Sequence, residues 1–142
     1  MRTKNRVFTL LAASALLAGS SLTLGVTNAA AADWTFKKDD EGGGSFSIVA
    51  YNPSGQPSGV MEWVAEGDMF RVSDSRSDTW GLEAKMIIPA ATGRTATTRG
   101  KEAPYTSAWN TGDLREGAQV SIQLCVVKGT SSHCGLAYTG HA

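Results

Sequence analysis

The sequence has few of the residues that nucleophilic and acid–base catalysis usually require. It contains two histidines, His133 and His141, and no Gly-x-Ser-x-Gly segment. A Ser-His-Asp site needs a histidine held between a nucleophile and a carboxylate, and a nucleophile elbow needs the glycine–serine context. His133 stands beside a cysteine and His141 close to the last residue. Both are interpreted as structural, and no catalytic residue and no cofactor are predicted.

Positive charge is not in excess either. The 13 lysines and arginines are balanced by 13 aspartates and glutamates. Three of the basic residues, Arg2, Lys4 and Arg6, lie among the first 32 residues, which contain no acid. Residues 33–142 therefore carry a formal charge of −3. Nucleic acids and anionic membrane surfaces attract basic proteins, so neither is an expected partner of this chain.

Long apolar runs are absent except near the start of the chain. The three basic residues there are followed by an apolar stretch from Val7 to about Gly19, and Ala30-Ala31-Ala32 fits a small-residue cleavage site. Ser14 and the polar residues after it leave the stretch short of the roughly 20 apolar residues of a membrane-spanning helix. Residues 1–32 are predicted to be a secretory signal peptide. The protein is therefore expected outside the cell, with no membrane attachment after cleavage.

Cysteine is scarce as well, but Cys125 and Cys134 lie in the most informative stretch. Apolar residues alternate with polar ones from Val120 to Val126, as in a strand with one buried face. Gly129-Thr130 fits the loop of a two-residue hairpin with a type II′ turn. Cys125 then lies opposite Cys134 in a non-hydrogen-bonded pair, with Cα atoms about 4.5 Å apart, where a disulfide can form. An even cysteine count in a secreted chain also favours a bridge.

The far end of this hairpin is less regular. In the predicted register Gly135 and Ala137 share the apolar face of the first strand. Leu136 and Tyr138 lie on the other face, with the cysteines, so the second strand carries apolar residues on both faces. Two interpretations remain open: both faces are partly covered, or a β-bulge near Gly135 shifts the alternation.

Short runs of period-two alternation, separated by Asn, Pro, Gly and Asp turn residues, continue through residues 45–142. No window shows convincing helical periodicity, and about seven or eight short strands at this spacing are typical of a sandwich or small barrel. The predicted fold is a single all-β domain, a small antiparallel β-sandwich, with a small β-barrel as the alternative. The alternation around Trp63 and from Trp80 to Ile88 predicts that both tryptophans belong to the core.

The first residues after the signal peptide allow two interpretations. Trp34 and Phe36 alternate as in a short strand, but the charged residues from Lys37 to Glu41 and then Gly42-Gly43-Gly44 follow. A glycine triplet is a flexible joint, and terminal segments are often loose. Residues 33–44 are therefore assigned to an N-terminal arm, with a strand as the alternative.

The segment Asp74-Ser75-Arg76-Ser77-Asp78 alternates oxygen-bearing side chains as some calcium loops do. The EF-hand pattern places an oxygen ligand where Arg76 stands, so the match is partial. In the competing interpretation the segment is a turn whose aspartates accept hydrogen bonds from their own backbone N–H groups. Asp74 and Asp78 are kept as calcium candidates, and no metal site is assigned.

Aromatic and cationic residues outside the predicted core are the candidate ligand contacts. Trp109 lies next to a turn, with Tyr105 near it in sequence, and exposed aromatic rings stack on sugars or anchor protein interfaces. Arg94 and Arg99 belong to a small polar segment, 94–101, which contains three cations. That segment is interpreted as an inhibitor's protease-facing loop, a contact for an acidic polymer, or an edge strand protected by charge.

Four features together resemble the small secreted β-rich proteins of filamentous actinobacteria. They are the signal peptide, the Asp-rich turn before Trp80-Gly81, the segment Trp109 to Leu114 and the late cysteine pair. The resemblance covers most of residues 33–142 and implies a β-rich fold and an extracellular location. The protease and amylase inhibitors that the same bacteria secrete are similar in size and β content, but they typically carry two disulfides where this chain can form one.

Three functions are compatible with these features. The leading hypothesis is a secreted, non-enzymatic binding domain whose partner is an extracellular glycan, a cell-wall component or a protein. The alternative is an inhibitor of a secreted hydrolase that uses segment 94–101 or the loop from Asn52 to Gly59. A small hydrolase would need two carboxylates facing each other across a pocket. The acidic residues that cluster in sequence are interpreted instead as a solvated rim at the strand ends: Glu62, Glu66, Asp68, Asp74 and Asp78.

Overall fold

The computed structural model describes residues 33–142, which form two antiparallel β-sheets packed face to face. The nine strands of this part of the chain are β1 (Thr35–Gly42), β2 (Ser45–Tyr51), β3 (Pro57–Val64), β4 (Met69–Asp74), β5 (Gly81–Ile88), β6 (Thr95–Thr97), β7 (Tyr105–Thr106), β8 (Gln119–Lys128) and β9 (Ser131–His141). The first sheet has the order β1-β2-β3-β4-β7 and the second the order β6-β5-β8-β9. Neither sheet closes on itself, so the predicted sandwich is confirmed and the β-barrel alternative is wrong.

Helical structure is almost absent from the described residues. Its one instance there is a 3₁₀ turn, Ala90–Thr92, between β5 and β6. No helix in residues 33–142 has the length and apolar character that crossing a membrane would require.

The core lies between the inner faces of the two sheets. Trp63, Phe46 and Phe70 of the first sheet are fully buried against Ile122 and Leu124 of the second. Each such side chain contributes about 1.5–3 kcal/mol by leaving water. The indole N–H of Trp63 donates to the carbonyl oxygen of His141 at 3.1 Å, so its polar atom is satisfied inside the core. The prediction that Trp63 belongs to the core is confirmed.

Trp80 lies at the margin of the core rather than within it. Its backbone N–H donates to the Asp78 carboxylate at 3.0 Å, which ties Trp80 to the loop before β5 instead of to the ladder. The ring stands between Trp34 and His133, with centroid distances of 5.6 and 5.4 Å. The alternation that predicted a core position begins one residue later, at Gly81, and does not apply to Trp80.

The stapled hairpin has the predicted register near its turn. Cys125 pairs with Cys134, Val126 with His133 and Lys128 with Ser131. The disulfide is formed, and its Cα atoms are 4.0 Å apart. Gly129 has φ +55°, as the first central residue of a type II′ turn requires. Both the bridge and the two-residue loop are therefore confirmed.

A β-bulge explains the irregular far end of the hairpin. The ladder passes from Cys125–Cys134 to Gln123–Ala137, so β9 contributes one more residue than β8 over this stretch. Beyond the bulge Tyr138 lies opposite Ile122 and is partly buried, whereas Leu136 in the bulge is 78% exposed. Of the two interpretations left open, the bulge is the one that the structure has.

Residues 35–42 form an edge strand. β1 pairs with β2 along its length, and its five consecutive charges from Lys37 to Glu41 lie on the outer edge of the first sheet. Charge of this kind discourages pairing with other chains. The Phe36 ring covers Gly135, where an added Cβ would lie 2.7 Å from the ring, and the Tyr138 hydroxyl donates to the Phe36 carbonyl. β1 therefore closes the sandwich over β9.

Candidate functional site

A cleft of about 470 Å³ opens at one end of the sandwich, and its size lies in the usual range for ligand sites. Three connections surround it: the one from β4 to β5, the one from β6 to β7, and the β8–β9 turn. We call it the Trp80 cleft, after the aromatic residue in its wall. The charged and aromatic residues that line it and bear on function are Asp74, Arg76, Trp80, Arg99, Lys101, Glu102 and Lys128.

Thr98 brings the second connection to the cleft. Its backbone N–H donates to the Leu82 carbonyl and its hydroxyl accepts from the Leu82 N–H, both at 2.8 Å. Thr98 is fully buried, and a Cβ at Gly81 would lie 3.1 Å from its hydroxyl oxygen. The Ser77 hydroxyl then donates to the Ala103 carbonyl at 3.0 Å and joins the first two connections. Hydrogen bonds and buried contacts therefore hold the backbone that forms the walls of the cleft.

The charge of the cleft is opposite in sign to that of the chain around it. Four cations and two acids line it, a formal charge of +2, whereas residues 33–142 carry −3. The Arg99 guanidinium donates to the Gly129 carbonyl at 2.5 Å and to Glu83 at 3.4 Å. The Lys128 ammonium lies 5.8 Å from the Trp80 ring centroid. Cation–π contacts of this kind contribute about 0.5–1 kcal/mol at exposed sites and orient the cation.

Asp74 is the buried acid of the cleft, 5% exposed. Burial raises the pKa of its carboxyl group, the hydrogen bond from the Arg76 backbone N–H opposes this, and the nearby charge of Asp78 raises the pKa further. Asp78 accepts hydrogen bonds from the Ser58 hydroxyl and from the Trp80 N–H. Both aspartates therefore cap N–H groups of their own loop, as the turn interpretation has it.

Within residues 33–142, the fold does not complete the calcium-candidate loop with a cluster of acidic side chains. Calcium takes about six to eight oxygen ligands, several of them carboxylates. Residues 33–142 contain no group of three or more His, Cys, Asp or Glu side chains placed to hold a metal ion. Asp74 and Asp78 are engaged within the loop.

The four residues predicted as ligand contacts do not converge. Arg99 lines the Trp80 cleft, and Tyr105 adjoins it through Lys101, whose ammonium lies 5.6 Å from the Tyr105 ring centroid. Trp109 is partly exposed elsewhere and stacks under Arg71, with the guanidinium carbon 4.2 Å from its ring centroid.

Arg94 has internal partners at the opposite end of the sandwich. Its guanidinium donates to the carbonyls of Asp68 and Asn110 and to the Asn110 side chain, and it lies 5.1 Å from the Phe70 ring centroid. Burial lowers the pKa of this guanidinium, and the charge of Asp68 opposes that shift. These contacts join the second sheet to the first, so they assign Arg94 a structural role.

Sequence reasoning missed most of the cleft. The alternation predicts Trp80 in the core, Arg76 enters only as the mismatch to the calcium pattern, and nothing in its own turn singles out Lys128. The available signal was that each of three separate connections carries a cation and that one of them ends in tryptophan. Comparison with protein-family models, with curated proteins and with solved structures finds no match for this chain.

Proposed function

We propose that this protein is a secreted, non-enzymatic binding domain that takes an extracellular ligand into the Trp80 cleft. The observation that carries the proposal is the cleft itself, a concave site with an aromatic wall and four cations, built from three connections at one end of a β-sandwich. Connections on a rigid scaffold are where binding residues concentrate, because they vary without disturbing the sheets. The lining contains neither histidine nor cysteine, which favours recognition over nucleophilic catalysis.

Secretion is supported by two independent features. The first is the predicted signal peptide, residues 1–32, which lies outside the described residues. The Cys125–Cys134 disulfide is consistent with an oxidising extracellular environment. Expression of the full chain in a secreting host tests this: the intact mass of the protein in the medium should correspond to a chain that begins near Asp33 with the disulfide formed. Retention of the uncleaved chain in the cells would contradict it.

Binding in the cleft is tested by comparing two tryptophan variants. The wild-type domain is titrated with a panel of soluble glycans, cell-wall fragments and extracellular proteins. We expect Trp80→Ala to lose binding and Trp109→Ala, the matched aromatic truncation outside the cleft, to retain it. Because Trp80 also packs on Trp34, a second cleft variant, Lys101→Gln/Lys128→Gln, removes two exposed cations that lie outside the core. Equal binding by all variants, or no binding to any ligand, would contradict the proposal.

A rigid exposed loop favours a protein inhibitor as the second candidate. In the β2–β3 connection the Asn52 side chain accepts hydrogen bonds from the backbone N–H groups of Ser54 and Gln56 at 3.0 and 2.9 Å. The Gly55 N–H donates to the Asn52 carbonyl at 2.8 Å. Preorganised loops lose little entropy on binding, as an inhibitor's contact loop requires. Incubation with subtilisin-, trypsin- and papain-like proteases tests this candidate, and activity unchanged at equimolar protein would exclude it for these classes.

A further inference from the structure

We infer that the ligand of the Trp80 cleft is an acidic glycan, a sugar chain that carries carboxylate, phosphate or sulfate groups. The inference rests on the proposed function, since it names the ligand class of the same site. It follows from three properties of the cleft: the segregation of charge, the directions from which the cations come, and the aromatic wall.

Charge is segregated between the cleft and the rest of the described surface. Four of the ten basic residues of 33–142 line the cleft, but only two of the thirteen acidic ones do. One of those two, Asp74, is buried and accepts a hydrogen bond from its own loop, so the acid that faces solvent is Glu102. A cleft in which one sign of charge predominates concentrates its field and draws in ligands of the opposite sign.

The cations approach the cleft from three directions. Arg76 comes from the β4–β5 connection, Arg99 and Lys101 from the β6–β7 connection, and Lys128 from the end of β8. The salt bridges of residues 33–142 include neither Lys101 nor Lys128, and Arg99 commits two of its five N–H donors to protein acceptors. Donors therefore remain for anionic groups at separated points, which suits a polymer with repeated charges better than a single small ion.

The aromatic wall favours a sugar chain among anionic polymers. Trp80 presents a partly exposed ring at the cleft, and the hydroxyls of Ser77 and Thr79 line the same space. An aromatic ring offers an apolar face against C–H groups, and neighbouring hydroxyls and cations supply polar partners for hydroxyl and acid groups. Nucleic acid also combines bases with anionic charge, but its binding proteins carry an extended basic footprint, and this chain has a net formal charge of −3 over residues 33–142.

The test uses acidic and neutral polymers of defined chemistry. The disulfide-bonded protein is titrated by calorimetry with polygalacturonate, phosphomannan and dextran sulfate, which carry carboxylate, phosphate and sulfate respectively, and with neutral galactan and dextran. We expect saturable binding to at least one acidic polymer. The affinity should fall as salt rises from 20 to 300 mM, because ions screen the electrostatic attraction and reduce its range. The three acidic arms distinguish the source of the negative charge.

A matched pair of double variants separates the cleft from general electrostatics. Lys101→Gln/Lys128→Gln removes two cleft cations, and Lys37→Gln/Arg115→Gln removes two exposed cations outside the cleft, with the same change in net charge. One exposed charge contact usually contributes up to about fivefold to binding. We therefore expect the cleft pair, which loses two such contacts, to weaken binding by about fivefold or more. The control pair loses none and should weaken binding by less than about twofold. Thermal unfolding of each variant verifies that it is folded.

Several outcomes overturn the inference, and they differ from failure of the proposed function. Equal binding of neutral and acidic glycans, lost in Trp80→Ala, would overturn the acidic glycan but leave a binding cleft. Equal weakening by the cleft pair and the control pair would show binding to the general surface and overturn the inference. Binding of single-stranded DNA as tight as that of the acidic polymers, with the same loss in the cleft pair, would assign the cleft to nucleic acid instead. Binding of nothing would overturn both proposals.

Discussion

Asp74 is a residue whose ionisation opposes folding. Burial raises its pKa in the folded state above the unfolded value. The contribution of the protonated carboxyl group to the free energy of unfolding is therefore complete below the unfolded pKa, and it is lost as the pH rises through the folded pKa. We expect Asp74→Asn to be more stable than the wild type at pH 7, because the amide oxygen still accepts from the Arg76 N–H and no charge is buried. The advantage should shrink at pH 3.5. Thermal unfolding at both pH values measures it, with Asp113→Asn as the exposed control; an advantage equal at both pH values would contradict the mechanism.

Thr98 is the residue that holds one wall of the cleft. Its hydroxyl accepts from the Leu82 N–H, and both groups are buried. Thr98→Val keeps the shape but leaves that N–H without a partner, which costs about 1–3 kcal/mol. Thr98→Ser keeps the hydroxyl and should lose less. Urea unfolding of the two variants gives the comparison, and a Val variant as stable as the wild type would show that the hydroxyl contributes nothing.

At the scale of elements, Gly135 allows β1 to close over β9. A Cβ on Gly135 would lie 2.7–2.9 Å from the Cγ, Cδ2 and Cβ atoms of Phe36, and these atoms lie close to the backbone and have little freedom to move. Gly135→Ala should therefore destabilise the fold by about 1–3 kcal/mol, the usual cost of overpacking. A double-mutant cycle with Phe36→Ala measures the coupling: the glycine substitution should cost much less in the truncated background. An unchanged cost would place the strain elsewhere.

The disulfide links two strands, β8 and β9, that are already joined by the hydrogen bonds of an antiparallel ladder. The two cysteines are nine residues apart, for which the chain-entropy model gives about 2.5–3 kcal/mol at best. We expect Cys125→Ala/Cys134→Ala to lose about 1–2.5 kcal/mol and to keep the sandwich, because the hydrophobic core supplies most of the stability. Guanidinium unfolding and circular dichroism check both parts. A variant unfolded in buffer would show that the core is insufficient without the bridge.

Elements differ in how much of them could be predicted from the sequence. The turn at Gly129 and the pairing of Cys125 with Cys134 depend on residues within one hairpin, and the structure confirms both. The same local residues left two alternatives at Gly135, of which the structure has the bulge. The sequence does not decide between a strand and a loose arm for the residues of β1, because a glycine triplet and five charges suit both. Its pairing with β2 depends on a tight turn at Gly43, where φ is +59°, and a flexible joint has the same composition.

At the scale of the whole molecule, the two sheets are joined by Arg94 at the end opposite the cleft. The guanidinium donates to the Asp68 and Asn110 carbonyls, and hydrogen bonds to charged groups contribute about 1.5–3 kcal/mol. Arg94→Lys cannot reach all of these acceptors, so we expect a loss of about 2–3 kcal/mol in urea unfolding. Arg115→Lys, an exposed control, should be neutral. Ligand binding at the cleft should be unchanged in both, and a loss of binding by folded Arg94→Lys would make Arg94 part of the site.

The fold class was predictable from period-two alternation, but the cleft was not. Its walls come from connections that meet only because the second sheet has the order β6-β5-β8-β9, and strand order is a non-local property that alternation does not contain. Trp80 illustrates the difficulty. Its spacing from Leu82 suits the core, yet it ends the loop and its backbone is held by Asp78.

The contact between Gly81 and Thr98 has a consequence for how such a chain can diversify in evolution. With a Cβ at Gly81 only 3.1 Å from the Thr98 hydroxyl, this pair has little room to change, and it fixes the base of the connections on either side. The side chains at 76, 99, 101 and 128 project beyond that base and take no part in the core. Homologous chains should therefore keep the glycine and the threonine while they exchange the cations, and so acquire new ligands on an unchanged frame.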